Sequence, residues 1–154
     1  MTGDKENSEW GIETLAIHAG QEPDLQTGAV TVPVYQTSTY EQDAVGQDRG
    51  YEYSRTGNPT RDALEKSISA LEGGTSGKAF ASGMAAEDTI LRLLNPGDHI
   101  VMGNDAYGGT FRLISKVLTR FNIGWSAVDL SNPKAIESAI TDKTKLLWTE
   151  TPSN

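Results

Sequence analysis

Apolar and polar positions fall into a regular pattern only after Asn58. Pro59 suits the first turn of a helix, Leu64, Ile68 and Leu71 keep helical spacing, and Gly73-Gly74 stops the run. Beyond it the pattern predicts a strand near 78–81, a helix near 84–94 and a turn at "NPGD". A strand "HIVMG" follows, then a helix within 109–121 carrying Phe111, Ile114, Leu118 and Phe121. A strand in 123–128, a helix from Pro133 and a strand "KLLWTE" complete the series. Alternation of strand and helix requires crossover connections, so the expected class is α/β, a mostly parallel sheet with helices on both faces. Residues 1–57 differ: turn residues recur throughout, and no apolar period is sustained. Residues 1–9 suit a disordered leader, but Ile17, Val30, Val32, Val34, Tyr35 and Tyr40 need a surface to cover them. The expected division is an extended arm over 1–57 and the start of a sheet domain over 58–154. A buried strand just before Asn154, with no helix after it, leaves apolar sheet uncovered, so the domain is expected to be incomplete.

Composition narrows the function classes. With 36% hydrophobic and 22% charged residues, the chain has the make-up of a globular protein. Its net charge of −8 argues against a general nucleic-acid or anionic-membrane binder, so an anionic ligand needs a local device. Absence of cysteine excludes disulfides, thiolate metal sites and cysteine nucleophiles. No apolar run approaches membrane-spanning length, and "MTGDKENSEW" is unlike a signal peptide; a cytoplasmic location is expected.

Ligands of parallel α/β sheets gather at the carboxyl ends of the strands. Here these are Ser82-Gly83, "GNDAYGG" (103–109), Asp129-Leu130-Ser131 and "ETPSN" (150–154), whereas Lys78, Lys143 and Lys145 fall at or before strand beginnings. At Ser82-Gly83-Met84 a glycine and the free amides of a new helix suit a phosphate, and Ser82 suits ordinary capping equally well. "GTSGKAFASG" fails as a nucleotide P-loop, because Gly77-Lys78 is followed by Ala79 and Glu72 stands where the first glycine is required. In "YEYSRTGNPT" Tyr53 and Arg55 are two apart, so an extended segment projects both to one side as a phosphate clamp; a packed aromatic beside a surface arginine is the plainer reading. Tyr107 can stack on a flat heteroaromatic and move a proton, or simply anchor its loop. His18 and His99 lack clustered carboxylates, so no metal site is expected. Glu65, Glu72 and Glu137 fit solvated helix faces.

"YEYSRTGNPTR", "ASGMAA", "DAYGGTFRL" and "ETPSN", in that order and with "AIHAG" and "VPVYQTSTY" upstream, resemble the Cys/Met-metabolism family of pyridoxal-phosphate enzymes. That family includes cystathionine γ-synthase, cystathionine γ-lyase, methionine γ-lyase and the O-acylhomoserine sulfhydrylases. The stretch "YGGTFRLISKVLTRF" is most similar to the bacterial γ-synthases. The resemblance implies the large domain of fold type I and a homotetramer with intersubunit active sites. It further implies γ-replacement on an O-acylhomoserine by cysteine in methionine biosynthesis, with the lyase and sulfhydrylase activities as alternatives. The amides of Gly83 and Met84 would hold the cofactor phosphate. Tyr53 and Arg55 would reach the phosphate in a neighbouring subunit, Tyr107 would stack on the pyridine ring and assist catalysis, and Asn154 would bond the ring's 3-hydroxyl oxygen. The cofactor-bearing lysine matches none of the lysines in this sequence, and the pyridinium-pairing aspartate and the arginine for the substrate carboxylate are expected beyond Asn154. The 154-residue chain alone is therefore expected to be inactive, and an inactive fragment or assembly half is the reading from another class. A general nucleotide-binding α/β domain lacks its fingerprint.

Overall fold

Strand β1 (His99–Gly103) lies between β2 (Gly124–Val128) and β3 (Thr144–Trp148), giving the order β2-β1-β3 with both pairings parallel. The computed structural model describes residues 10–153. Ile100, Val101 and Met102 of the central strand are fully buried, as a strand covered on both faces requires, while β3 alternates in exposure and β2 is partly exposed. Ile100 and Met102 form the core with Leu91, Ile114, Leu118 and Ile123, and Trp125, Leu146 and Trp148 lean against it. At the amino ends of the strands the His99 ring bridges its neighbours: Nδ1 lies 2.9 Å from Thr144 Oγ1 and Nε2 3.0 Å from Ser126 Oγ.

The chain forms two compact units, one ending at Ala79 and the other beginning at Phe80. In the first, α1 (Ile12–His18) packs on α2 (Pro59–Leu71). Asn58 caps α2 by accepting from the Thr60 N–H at 2.9 Å, and Pro59 occupies the first turn as expected. Gly20 permits a close approach to α2: at φ +72° a Cβ there would sit 2.7 Å from Lys66 Cβ and 2.8 Å from the Ala63 carbonyl oxygen.

Three expectations need correction. The strand anticipated at 78–81 has no ladder among the described residues, because Glu65 Oε1 accepts the Ala79 N–H at 3.0 Å. Glu65 itself is not on a solvated face: its side chain is 13% exposed and Oε2 lies 3.0 Å from Lys78 Nζ. The Ala79 amide and Lys78 hold its carboxyl below the usual range. Finally, the helix expected within 109–121 is irregular. It runs as α4 (Gly108–Arg112), a π-helical turn over Leu113–Val117 and a 3-10 turn over Leu118–Phe121, closed by Asn122 at φ 60°. The Ser115 and Thr119 hydroxyls donate back to the carbonyls of Phe111 and Ser115, a pattern that bends helices. The remaining helices of the second unit are α3 (Gly83–Leu91) and α5 (Pro133–Ala139), the latter capped by Asn132.

Candidate active site

The start of α3 is capped by Ser82, the plainer of the two sequence readings. Ser82 Oγ accepts the Ala85 N–H at 3.2 Å, and the Ser82 carbonyl takes the Ala85 and Ala86 amides. The N–H groups of Gly83 and Met84 remain without a partner among the described residues. A Cβ built on Gly83 meets nothing within 4 Å, so the space over this first turn is open. Capping by Ser82 therefore leaves these two N–H groups available as donors.

Tyr107 comes to the same end of the sheet through the loop after β1. Gly103 permits the loop's departure, since a Cβ there would meet Asp105 Oδ1 at 2.8 Å and Leu130 Cδ1 at 3.1 Å. Tyr107 precedes α4, its carbonyl accepts the Phe111 N–H at 3.0 Å, and its side chain is 46% exposed. The decisive contact is at buried Gly109. A Cβ there would fall within 2.3 Å of Tyr107 Cε1 and 2.9 Å of Met84 Sδ. At Gly109 the tyrosine ring and the side chain of Met84, in the first turn of α3, both come too close to admit a Cβ without moving.

Behind Tyr107 lies a group of polar side chains that sequence reasoning missed. Glu150, just past β3, accepts the Tyr107 N–H on Oε2 at 2.8 Å and the Trp148 indole N–H on Oε1 at 3.0 Å. The Thr110 hydroxyl, fully buried, lies 3.1 Å from Glu150 Oε1 and 2.9 Å from Glu87 Oε2 of α3. The Trp148 indole foremost, then the Tyr107 amide and Thr110, hold the Glu150 carboxyl below the usual range against an opposing effect of burial. The available signal was an acidic residue two places after a strand, at the start of "ETPSN".

In the first unit Tyr53 and Arg55 do come together, by a different device from the one anticipated. Tyr53 makes an isolated antiparallel bridge with Thr39, and Arg55 sits in a turn instead of an extended segment. The Thr56 and Gly57 amides both return to the Tyr53 carbonyl at 3.0 Å, which closes the turn. The Arg55 guanidinium carbon then lies 4.9 Å from the Tyr53 ring centroid. Arg61 Nη1 donates to the Ser54 carbonyl at 3.0 Å, and Asn58 Nδ2 to Ser54 Oγ at the same distance, so α2 fixes this turn. Nearby, burial and a 2.8 Å bond to Asp62 push the Tyr51 phenol up to about 12. Asn154 lies outside the described residues. Lys143 and Lys145 stand at the amino end of β3, away from Tyr107, as expected. Among the described residues no group of acidic or histidine side chains could hold a metal, and no helix is long and apolar enough to cross a membrane.

These features define the class: an α/β protein with a parallel sheet, in which two helix amides without partners among the described residues and a tyrosine ring lie near one another. A family model for Cys/Met metabolism PLP-dependent enzymes matches residues 13–154, and the chain belongs to that family. It is 55% identical over 94% of its length to a cystathionine gamma-synthase of Mycobacterium leprae. It is 54% identical over 93% to a cystathionine beta-lyase of Lactococcus lactis subsp. cremoris. The crystal structure of metB from Corynebacterium glutamicum superposes with a TM-score of 0.94 at 51% identity, covering 96% of this chain and 39% of that one. The chain spans about 38% of the length of these two curated relatives. The family depends on pyridoxal phosphate. The unpartnered Gly83 and Met84 amides, the open space over Gly83 and the Tyr107 ring packed at Gly109 fit that cofactor's phosphate and flat ring.

Proposed function

We propose that the whole protein is a pyridoxal-phosphate-dependent cystathionine γ-synthase that joins the thiol of cysteine to Cγ of an O-acylhomoserine and expels the acyl group as its carboxylate. The observation that carries this reading is the meeting of Met84 and Tyr107 at Gly109, beside two free helix amides. When bound, the cofactor supplies an electron sink that acidifies the carbon positions of the amino acid attached to it.

The residues of this chain bind, orient and move protons. Gly83 and Met84 N–H groups hold the phosphate, helped by the dipole of α3. The Tyr107 ring lies against the pyridine face, and its hydroxyl, which has no partner among the described residues, exchanges a proton at Oη with the substrate. Tyr53 and Arg55 clamp the phosphate of a neighbouring subunit, the arm over 1–57 reaches across, and the assembly is a homotetramer in the cytoplasm. Asn154 bonds the ring's 3-hydroxyl oxygen. The 154 residues by themselves do not turn over, since the family's cofactor-bearing lysine has no counterpart among them.

Near-equal identity to a β-lyase favours a second reading, cleavage of cystathionine with uptake of one water to homocysteine, pyruvate and ammonia. Incubating the purified whole protein with O-acylhomoserine and cysteine, and separately with cystathionine, decides between them by mass spectrometry. Cystathionine formed in the first reaction supports the synthase. Pyruvate in the second with none formed in the first establishes the lyase and rejects the synthase.

A further inference from the structure

Glu150 belongs to no role assigned so far, yet it is the best-connected side chain behind Tyr107. Its two carboxylate oxygens face different donors: Oε2 the Tyr107 backbone at 2.8 Å, Oε1 the Trp148 indole at 3.0 Å. Thr110, whose hydroxyl has a single proton, lies within reach of both Glu150 Oε1 and Glu87 Oε2. One carboxylate thus ties the end of β3 to the loop after β1, while the Thr110 proton goes to either Glu150 or Glu87. No other side-chain hydrogen bond among the described residues reaches the Tyr107 backbone.

We infer that Glu150 is a positioning residue that holds the Tyr107 backbone so that its ring stays over the first turn of α3. This rests on the reading of Tyr107 as the residue beside the cofactor. The geometry demands a carboxylate specifically. A glutamine has one acceptor oxygen, so its NH2 group would face either the Tyr107 N–H or the Trp148 indole N–H, donor against donor. An alanine leaves the Tyr107 amide to water, which the exposure of that residue permits without global unfolding.

The test uses the whole protein with pyridoxal phosphate and the variants Glu150→Ala, Glu150→Gln and Thr110→Val. The measurements are hydrogen exchange at the Tyr107 amide, visible circular dichroism of the bound cofactor, cofactor content and the separation of kcat from KM. Loss of a charge-assisted hydrogen bond should speed Tyr107 exchange by about tenfold or more in Glu150→Ala, and in Glu150→Gln if its one acceptor oxygen turns to the Trp148 indole. The circular dichroism should change and kcat should fall while cofactor content holds, because Gly83 and Met84 retain the phosphate. Thr110→Val keeps the direct Glu150–Tyr107 bond and should leave Tyr107 exchange within about twofold of the parent. Unchanged Tyr107 exchange in both Glu150 variants overturns the inference, and so does faster exchange with unaltered dichroism. If the unsubstituted protein binds no pyridoxal phosphate, the proposed function fails, while exchange still decides whether Glu150 holds Tyr107.

Discussion

Gly109→Ala probes the tightest point of the site with one added methyl group. The new Cβ would lie 2.3 Å from Tyr107 Cε1 and 2.9 Å from Met84 Sδ, where ordinary contact begins at 3.4 Å. The ring edge must retreat by about 1.1 Å and the sulfur by about 0.5 Å. Backbone strain plays no part, because Gly109 does not have a positive φ. Overpacking of this kind costs about 1–3 kcal/mol. Tyr107 can swing toward solvent and Met84 is flexible, so the lower end, about 1–2 kcal/mol, is expected. Gly108→Ala is the control: its Cβ meets only the tip of Arg112, at 3.3 Å, and it gains the same helix propensity. Urea unfolding of the whole protein should place Gly109→Ala below Gly108→Ala by that amount, and cofactor dichroism should change only in the former. Tyr107→Ala removes the larger clash, so the penalty at Gly109 should shrink in that background, with a coupling of about 1 kcal/mol. Equal stability and equal dichroism for the two glycine variants would refute the convergence of Tyr107 and Met84.

Tyr107→Phe keeps the ring and removes the proton-carrying Oη, so cofactor content should hold while kcat falls about a hundredfold, the scale of general acid–base assistance; full activity removes the hydroxyl role. Arg55→Ala should weaken pyridoxal-phosphate retention about tenfold or more in equilibrium dialysis, since one charge-assisted pair to the phosphate is lost, with folding intact; unchanged affinity rejects the clamp. Glu150 sets an acid dependence. Its folded carboxyl lies below the ordinary value of 4.5, so its contribution is complete above that pH and is lost as pH falls through the depressed folded value. Glu87 and Asp105 are the other carboxyls facing it, and both remain in the variant. The stability gap between the parent and Glu150→Gln should therefore narrow as pH drops below 4.5, and a gap constant down to pH ~3 contradicts the assignment.

Elements with local punctuation were legible in the sequence. Pro59 and Gly73-Gly74 bracket α2, and the apolar run of "HIVMG" marks β1 as a strand. The helix α1 was missed although Ile12, Leu15, Ala16 and Ala19 keep helical spacing, because glycine and proline nearby dominate the impression of that stretch. The segment 78–81 is apolar enough for a strand, but pairing depends on what lies beside it, and Glu65 took its amide instead. Strand polarity places Tyr107 in the loop after β1, whereas Gly83 and Met84 open a helix that the expected strand at 78–81 does not precede. Glu150 could not be found this way. Its partners Tyr107, Thr110 and Trp148 lie up to 43 residues away in sequence, and no local pattern reports a carboxylate shared among three donors.

The most direct test is a crystal structure of the whole protein with bound pyridoxal phosphate. The account predicts the phosphate within hydrogen-bond distance of the Gly83 and Met84 amides, with the Tyr107 ring against the pyridine and the Tyr53–Arg55 pair of a second copy completing the grip. A phosphate seated elsewhere, with those two amides facing only water or an apolar side chain, contradicts it.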